Sequence, residues 1–317
     1  MTIRQQNDVI IVGGSSAGLS AALVLGRAVR RVLVIDAGQP CNRQTPHSHG
    51  FLTRDGATPT ELLTAAREQI SQYPGVQFWS GTATRAARTE HGFSLTTTSA
   101  DGGELQFSGR ALLLATGLFD IMPELPGFAE CWGRSVLHCP YCHGYEVHGQ
   151  PLGILANGDI GYDMASLIQQ WSRQLTLFTN GPATLTPDQQ QTLAQLQIPI
   201  VDTPISALEH EEGRLTAVLF ADGTRAHPAA VFARVPFRQH TDLASQLGCT
   251  LTEHGLIKIT EAGETNVPGV YAAGDATTLF RQVAIAVASG AKTGAWLNRQ
   301  LIDEDIRRQT RLAGTDA

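Results

Sequence analysis

The 317-residue chain is short of charge, of sulfur and of long apolar runs. Only 16% of its residues are Asp, Glu, Lys or Arg, the formal net charge is −6, and no basic run stands out. Such a chain offers no electrostatic footprint for nucleic acid or an anionic membrane, so neither is expected as a partner. No apolar run approaches bilayer-spanning length, and Met1 to Asn7 lead into a strand pattern without a charged-then-apolar leader, which points to the cytoplasm. Of the five cysteines, Cys41, Cys131 and Cys249 stand singly, with no second Cys-x-x-Cys and no His pair at finger spacing; no metal site is expected. Repeats and low-complexity tracts are absent. With 42% hydrophobic residues the chain can bury a sizeable core, and its length suggests two domains.

What is present centres on Cys139-Pro140-Tyr141-Cys142-His143-Gly144-Tyr145-Glu146. Two thiols at this spacing open and close a disulfide without moving the backbone. Pro140 suits the first position of a helix whose N-terminus stabilises a Cys139 thiolate, and in the cytosol such a pair is catalytic rather than a structural staple. Two readings stand beside this one. The string Cys-x-x-Cys-His is also a haem c attachment signature, and free cysteines are often plain buried residues.

The N-terminal run Asp8-Val9-Ile10-Ile11-Val12 reads as a buried parallel strand. It runs into Gly13-Gly14-Ser15-Ser16-Ala17-Gly18, which fits Gly-x-Gly-x-x-Gly with Ser15 at the middle glycine, then a helical Leu19 to Ala28, a second strand Arg31 to Ile35, and Asp36. Strand, loop, helix, strand and acid form a dinucleotide-binding unit, in which backbone amides hold a pyrophosphate and the acid accepts a ribose hydroxyl. The loop from Pro40 to Asp55 carries Asn42, His47 and His49, where either histidine suits flavin contact or proton transfer. Pro59 to Ser71 has helical spacing, Val76 to Gly109 reads as an antiparallel meander, and Ala111 to Leu114 forms a buried strand ending in Ala115-Thr116-Gly117.

Together with Tyr271-Ala272-Ala273-Gly274-Asp275 and Cys139-x-x-Cys142, these motifs resemble the low-molecular-weight thioredoxin reductase family of flavoproteins, in the family's order and over nearly the whole chain. The resemblance implies an α/β fold of two Rossmann-like three-layer domains. A discontinuous FAD-binding domain (1–117 and 241–317) would enclose an inserted NAD(P)-like domain (118–240) that carries the cysteine pair. It implies FAD contacts from the Gly13–Gly18 loop, from Asp36, Ala37 and Gly38, from Asn42 and His49, from Ala115-Thr116-Gly117, from Gly274 and Asp275, and from Arg281-Gln282-Val283, which would start a helix directed at the isoalloxazine. It also implies a homodimer.

The inserted domain departs from the family pattern. In Gly153 to Gly161 the first fingerprint glycine is replaced by Ala156, ahead of a helix expected from about Tyr162 to Ser172. The next strand, Leu175 to Phe178, ends in Thr179-Asn180-Gly181-Pro182, with neither a basic cluster for an NADP phosphate nor an acid for an NAD ribose. Use of NADP(H) is therefore in doubt. A second departure is His143, where the reductases typically carry Asp. Imidazole, with its ordinary pKa of about 6.5, suits removal of a thiol proton at neutral pH.

The Cys-x-x-Cys-His string is similar to that of the dithiol oxidases of gliotoxin, holomycin and romidepsin biosynthesis. The expected activity is FAD-dependent oxidation of a small-molecule dithiol. On this resemblance Cys139 meets the substrate, Cys142 passes electrons to the flavin, His143 is the base oriented by Glu146, and dioxygen or another acceptor reoxidises the flavin. The alternatives are a thioredoxin reductase driven by NADPH or ferredoxin, and an FAD-binding redox sensor. For His143 the bland alternative is a helix-surface residue paired with Glu146.

Overall fold

Val9 and Ile11 project to one face of a strand and Ile10 and Val12 to the other, and all four are buried, so this strand must lie inside a sheet covered on both sides. In the computed structural model, which describes residues 7–315, it does. The expected absence of a leader and the outer limits of the expected flavin domain concern residues 1–6 and 316–317, which lie outside the described residues. Asn7–Val12 pairs in parallel with Val32–Asp36 on one side and with Glu104–Leu114 on the other, in a seven-stranded sheet. The strand Val270–Ala272 also pairs in parallel with the end of Glu104–Leu114.

Two expectations for this sheet change. Val76–Ser80, read as the start of an antiparallel meander, instead extends the parallel sheet beside Val32–Asp36. The meander proper consists of Thr82–Thr89, Gly92–Thr98 and the first half of Glu104–Leu114, which continues without a break into the buried strand expected from Ala111. One long strand therefore serves both an antiparallel and a parallel pairing.

Helices cover one face. Ser16–Arg27 packs against the C-terminal helix Val283–Thr315, and Gly290 and Gly294 allow it. A Cβ at Gly290 would collide with the Ala17 carbonyl, and one at Gly294 would lie 3.2 Å from the Ala21 Cα. Ser20 Oγ donates to the Val287 carbonyl at 2.7 Å across the same seam. The last helix, expected over 284–302 with a frayed end from Arg307, continues to Thr315. Anchoring explains part of the extension: Asp305 is held by Arg110 at 2.7 Å and by Arg30 at 2.9 Å. No helix among the described residues is long and apolar enough to cross a membrane.

The chain divides into two units. The first comprises the N-terminal part to Arg43, Thr60–Phe119 and the part from Arg238 onward; the second comprises Gln44–Pro59 and Asp120–Phe237. Residues 44–59, grouped by the sequence with 1–117, belong with the second unit. That unit has its own parallel sheet, in the order Ile200–Val201, Leu175–Phe178, Leu152–Leu155, Ala230–Ala233 and Val136–Leu137, and a three-stranded antiparallel sheet from Ile205 to Ala226. Its helix Pro187–Gln195 starts with both arms of a Thr186/Gln189 capping box formed, as the sequence predicts.

Candidate active site

In the first unit a cavity of about 360 Å³ lies where strand ends meet the start of the Ser16–Arg27 helix. Gly13, Gly14, Ser15, Ser16, Ala17, Asp36, Ala37, Asn42, Ala115, Thr116, Gly117, Gly274, Asp275, Arg281, Gln282 and Val283 all line it. Gly18 does not: it lies behind the loop, where a Cβ would collide with the Gly13 carbonyl, so its place in the pattern reflects packing. Gly38 is exposed with φ +71° and also lies off the cavity, which makes it a turn residue. Arg281 and Gln282 precede the C-terminal helix rather than begin it.

The cavity offers donors for an anion. Ser15 is the N-cap of Ser16–Arg27 but its side chain makes no capping hydrogen bond, and the first turn carries no acid. The helix's leading N–H groups are thus not taken by its own cap. Asp36 is held by Arg67, whose guanidinium lies 5.1 Å from the centre of the Phe78 ring. Arg281 is 3.6 Å from Asp275, and Cys41 reaches the same carboxylate at 3.8 Å. Neither Arg67 nor Cys41 belongs to a motif that singles it out in the sequence.

The corresponding loop of the second unit is tied by a side chain. Its helix starts at Gly158, four residues earlier than expected, because Asn157 caps it. The Asn157 Oδ1 accepts from Gly158 N at 2.8 Å, Thr184 N at 2.9 Å and Thr184 Oγ1 at 3.2 Å, while Nδ2 donates to the Pro182 carbonyl at 2.9 Å. Asp159 adds negative charge to the first turn. The cap takes the first amide of this helix and the acid lowers the positive potential of its first turn, both of which disfavour an anion there. Asn before Gly-Asp is the sequence signal for this cap.

Also in the second unit, Cys139 and Cys142 form a disulfide with Cα atoms 5.3 Å apart. Cys139 is the N-cap and Pro140 the first residue of a helix that ends at His143. The field expected at Cys139 is accordingly that of a single turn, weaker than a long helix supplies. Gly144 lies where a Cβ would come within 2.7 Å of the Trp171 indole, which backs the turn. Tyr141 stands edge-on to Trp171 at 5.4 Å between ring centres.

His143 is partly buried, and burial pushes its imidazole below the ordinary value of 6.5; nearby His49 pushes the same way, and Glu146 partly opposes them. Glu146 makes no hydrogen bond to His143 among the described residues. The helix stops at His143, and Glu146 Oε1 lies 3.4 Å from His49 Nε2. His49, read as a flavin contact, is absent from the cavity lining and sits in the second unit beside the redox turn.

A redox disulfide on one Rossmann-type unit and a dinucleotide cavity on another define a disulfide oxidoreductase of the flavoprotein type. The chain belongs to the pyridine nucleotide-disulphide oxidoreductase family, which it matches over residues 7–290. Thioredoxin reductase tcpT of Claviceps purpurea (strain 20.1) is 32% identical over 310 residues, covering 93% of this chain and 94% of that protein. The crystal structure of HlmI superposes with a TM-score of 0.91 at 36% identity, covering 99% of each chain. An oxidoreductase from Agrobacterium tumefaciens, also 36% identical, superposes at 0.88 over 94% of this chain and 99% of its own. The resemblance to thioredoxin reductase-like flavoproteins and the two-domain α/β fold drawn from the sequence both hold.

Proposed function

We propose that this protein oxidises a small-molecule dithiol to its disulfide, with the Cys139–Cys142 disulfide as first electron acceptor and FAD as second. The observation that carries this reading is the disulfide followed at once by an imidazole that burial keeps uncharged at neutral pH. His143 removes a proton from one substrate thiol, and the thiolate attacks Cys139, breaking the Cys139–Cys142 bond and leaving Cys142 as thiolate. The second substrate thiol then displaces Cys139, releasing the cyclic disulfide and leaving both enzyme cysteines reduced. Two electrons and two protons have left the substrate.

The residues of the first cavity suit FAD. The uncapped amides after Gly13 would hold its pyrophosphate, Asp36 a ribose hydroxyl and Asp275 the ribityl or pyrophosphate region, and Gln282 and Val283 would contribute to the flavin end of the site. When bound, FAD accepts the electron pair from the reduced cysteines and yields it to dioxygen or another acceptor. The Asn157 cap on Gly158 N and the Asp159 carboxylate weaken the anion site at the start of the Gly158–Ile168 helix, which favours entry of the electrons from the dithiol. We place the enzyme in the cytoplasm, as the sequence suggests, and as a homodimer, following the family pattern.

A second reading, a thioredoxin reductase drawing on NADPH, is favoured by the names of relatives such as tcpT. Anaerobic mixing of the yellow protein with dithiothreitol, NADPH or NADH separates the two. Bleaching of the flavin band by the dithiol alone, reversed by air, supports the oxidase; rapid bleaching by NADPH overturns it.

A further inference from the structure

We propose that His49 is a positioning residue of the redox centre: braced by Asp55, it holds the Glu146 carboxylate on the turn that carries Cys142 and His143, and so sets the surroundings of the His143 base. The role rests on His143 acting as the base in the dithiol reading. Its support is geometric. His49 Nε2 lies 3.4 Å from Glu146 Oε1 and its Nδ1 lies 3.6 Å from Asp55 Oδ1, so each ring nitrogen faces a carboxylate oxygen. The ring is largely sheltered, with 22% of its side chain exposed against 67% for Asp55, and the array runs from the redox turn to solvent.

The loop carrying His49 is fixed by its own hydrogen bonds. Ser48, only 6% exposed, donates its amide to the Ala57 carbonyl at 2.8 Å and accepts from Gly56 N at 3.0 Å. Gly50, at φ +74°, donates its N–H to Asp55 Oδ1 at 2.7 Å, which aims the Asp55 carboxylate at the ring. Together with His49, that bond holds the Asp55 carboxyl below the ordinary carboxylate range. A loop closed at both ends loses little further entropy in holding one imidazole in place.

The charge balance gives the array its purpose. Around His49 lie Glu146 and His143 from the redox turn, and Asp55 and His47 from its own loop, with the His47 ring centre 6.4 Å away. A bare Glu146 carboxylate draws a proton onto His143, whereas His49 works against this. Without His49, His143 would spend more of its time as imidazolium at neutral pH, and an imidazolium cannot take a thiol proton.

The test titrates His143 by NMR of ¹⁵N-histidine-labelled protein in the wild type, His49→Gln and Asp55→Asn, with the signal assigned among the ten histidines from a His143→Asn spectrum. His49→Gln should move the His143 midpoint to higher pH, raising its protonated fraction at pH 7 at least about threefold. The acid limb of dithiothreitol oxidation should move with it, and kcat at pH 7 should fall while KM stays within about twofold. Asp55→Asn, the milder change, should shift His143 the same way and keeps the test open if His49→Gln does not fold. A His143 curve that superimposes on the wild type in both folded variants overturns the role. The titration needs no substrate, so the two readings fail separately. A shifted His143 in a protein that no dithiol reduces removes only the oxidase, and an unmoved one in an active oxidase removes only the positioning role.

Discussion

Replacing His143 by Gln tests the chemistry most directly, because it keeps a hydrogen-bonding side chain and removes the base. Glu146, the nearest carboxylate in sequence, lies 3.4 Å from His49. A positioned base is worth roughly 100-fold to 10,000-fold. Taking the lower figure, because dithiothreitol supplies some thiolate unaided, His143→Gln should slow anaerobic flavin bleaching about 100-fold, or about 2.7 kcal/mol of barrier. Flavin content and KM should hold. In the wild type, burial places the His143 value below 6.5, so the rate should be flat above that pH and decline only as the pH falls through the lowered value, when the imidazole charges. The stability effect has the same sense. The unfolded chain takes up this proton first, so the stability His143 confers is complete above 6.5 and drains away as the pH falls from there through the folded value. Stopped-flow absorbance across pH 4.5 to 8 reads both quantities (the range is roughly two pH steps either side of an ordinary histidine). A variant retaining a third of the wild-type rate, or an acid limb above 6.5, would refute His143 as the base.

Three further outcomes are expected. Cys142→Ser should retain the yellow cofactor yet show no multiple turnover with dithiothreitol, and sustained oxygen uptake by this variant would take the disulfide out of the mechanism. Asn157→Ala should destabilise the second unit by about 1 kcal/mol, as loss of an N-cap does, while dithiol oxidation persists; the urea midpoint and a turnover assay together check this. Gly290→Val should force the Ser16–Arg27 and Val283–Thr315 helices apart at the Ala17 carbonyl, costing roughly 1–3 kcal/mol, and weaken flavin retention on gel filtration; full retention would contradict the close helix seam.

How far the site was legible depended on whether its parts are neighbours in the chain. The Gly13–Ala17 loop, Asp36, Thr116–Gly117 and Gly274–Asp275 announce themselves because each sits at the end of a buried parallel strand, and a parallel sheet gathers such ends at one edge. Gly18 and Gly38 lie off the cavity, and a glycine needed for close packing or for a turn looks in sequence like one needed for a ligand. Val76–Ser80 was misplaced because a short apolar run does not say whether its partner is parallel.

Periodicity and motif spacing by themselves pointed to the first α/β unit, its Gly13–Gly18 loop and the cysteine pair, since each is encoded within one local stretch, while the second α/β unit was what the family resemblance implied. Only the tertiary structure decided that residues 44–59 fold with the second unit, that Glu146 lies beside His49, and that the Asn157 side chain bonds Thr184 and Pro182. Those facts depend on contacts between segments far apart in the chain, and a hydrogen bond or ion pair of that kind leaves no period in the sequence.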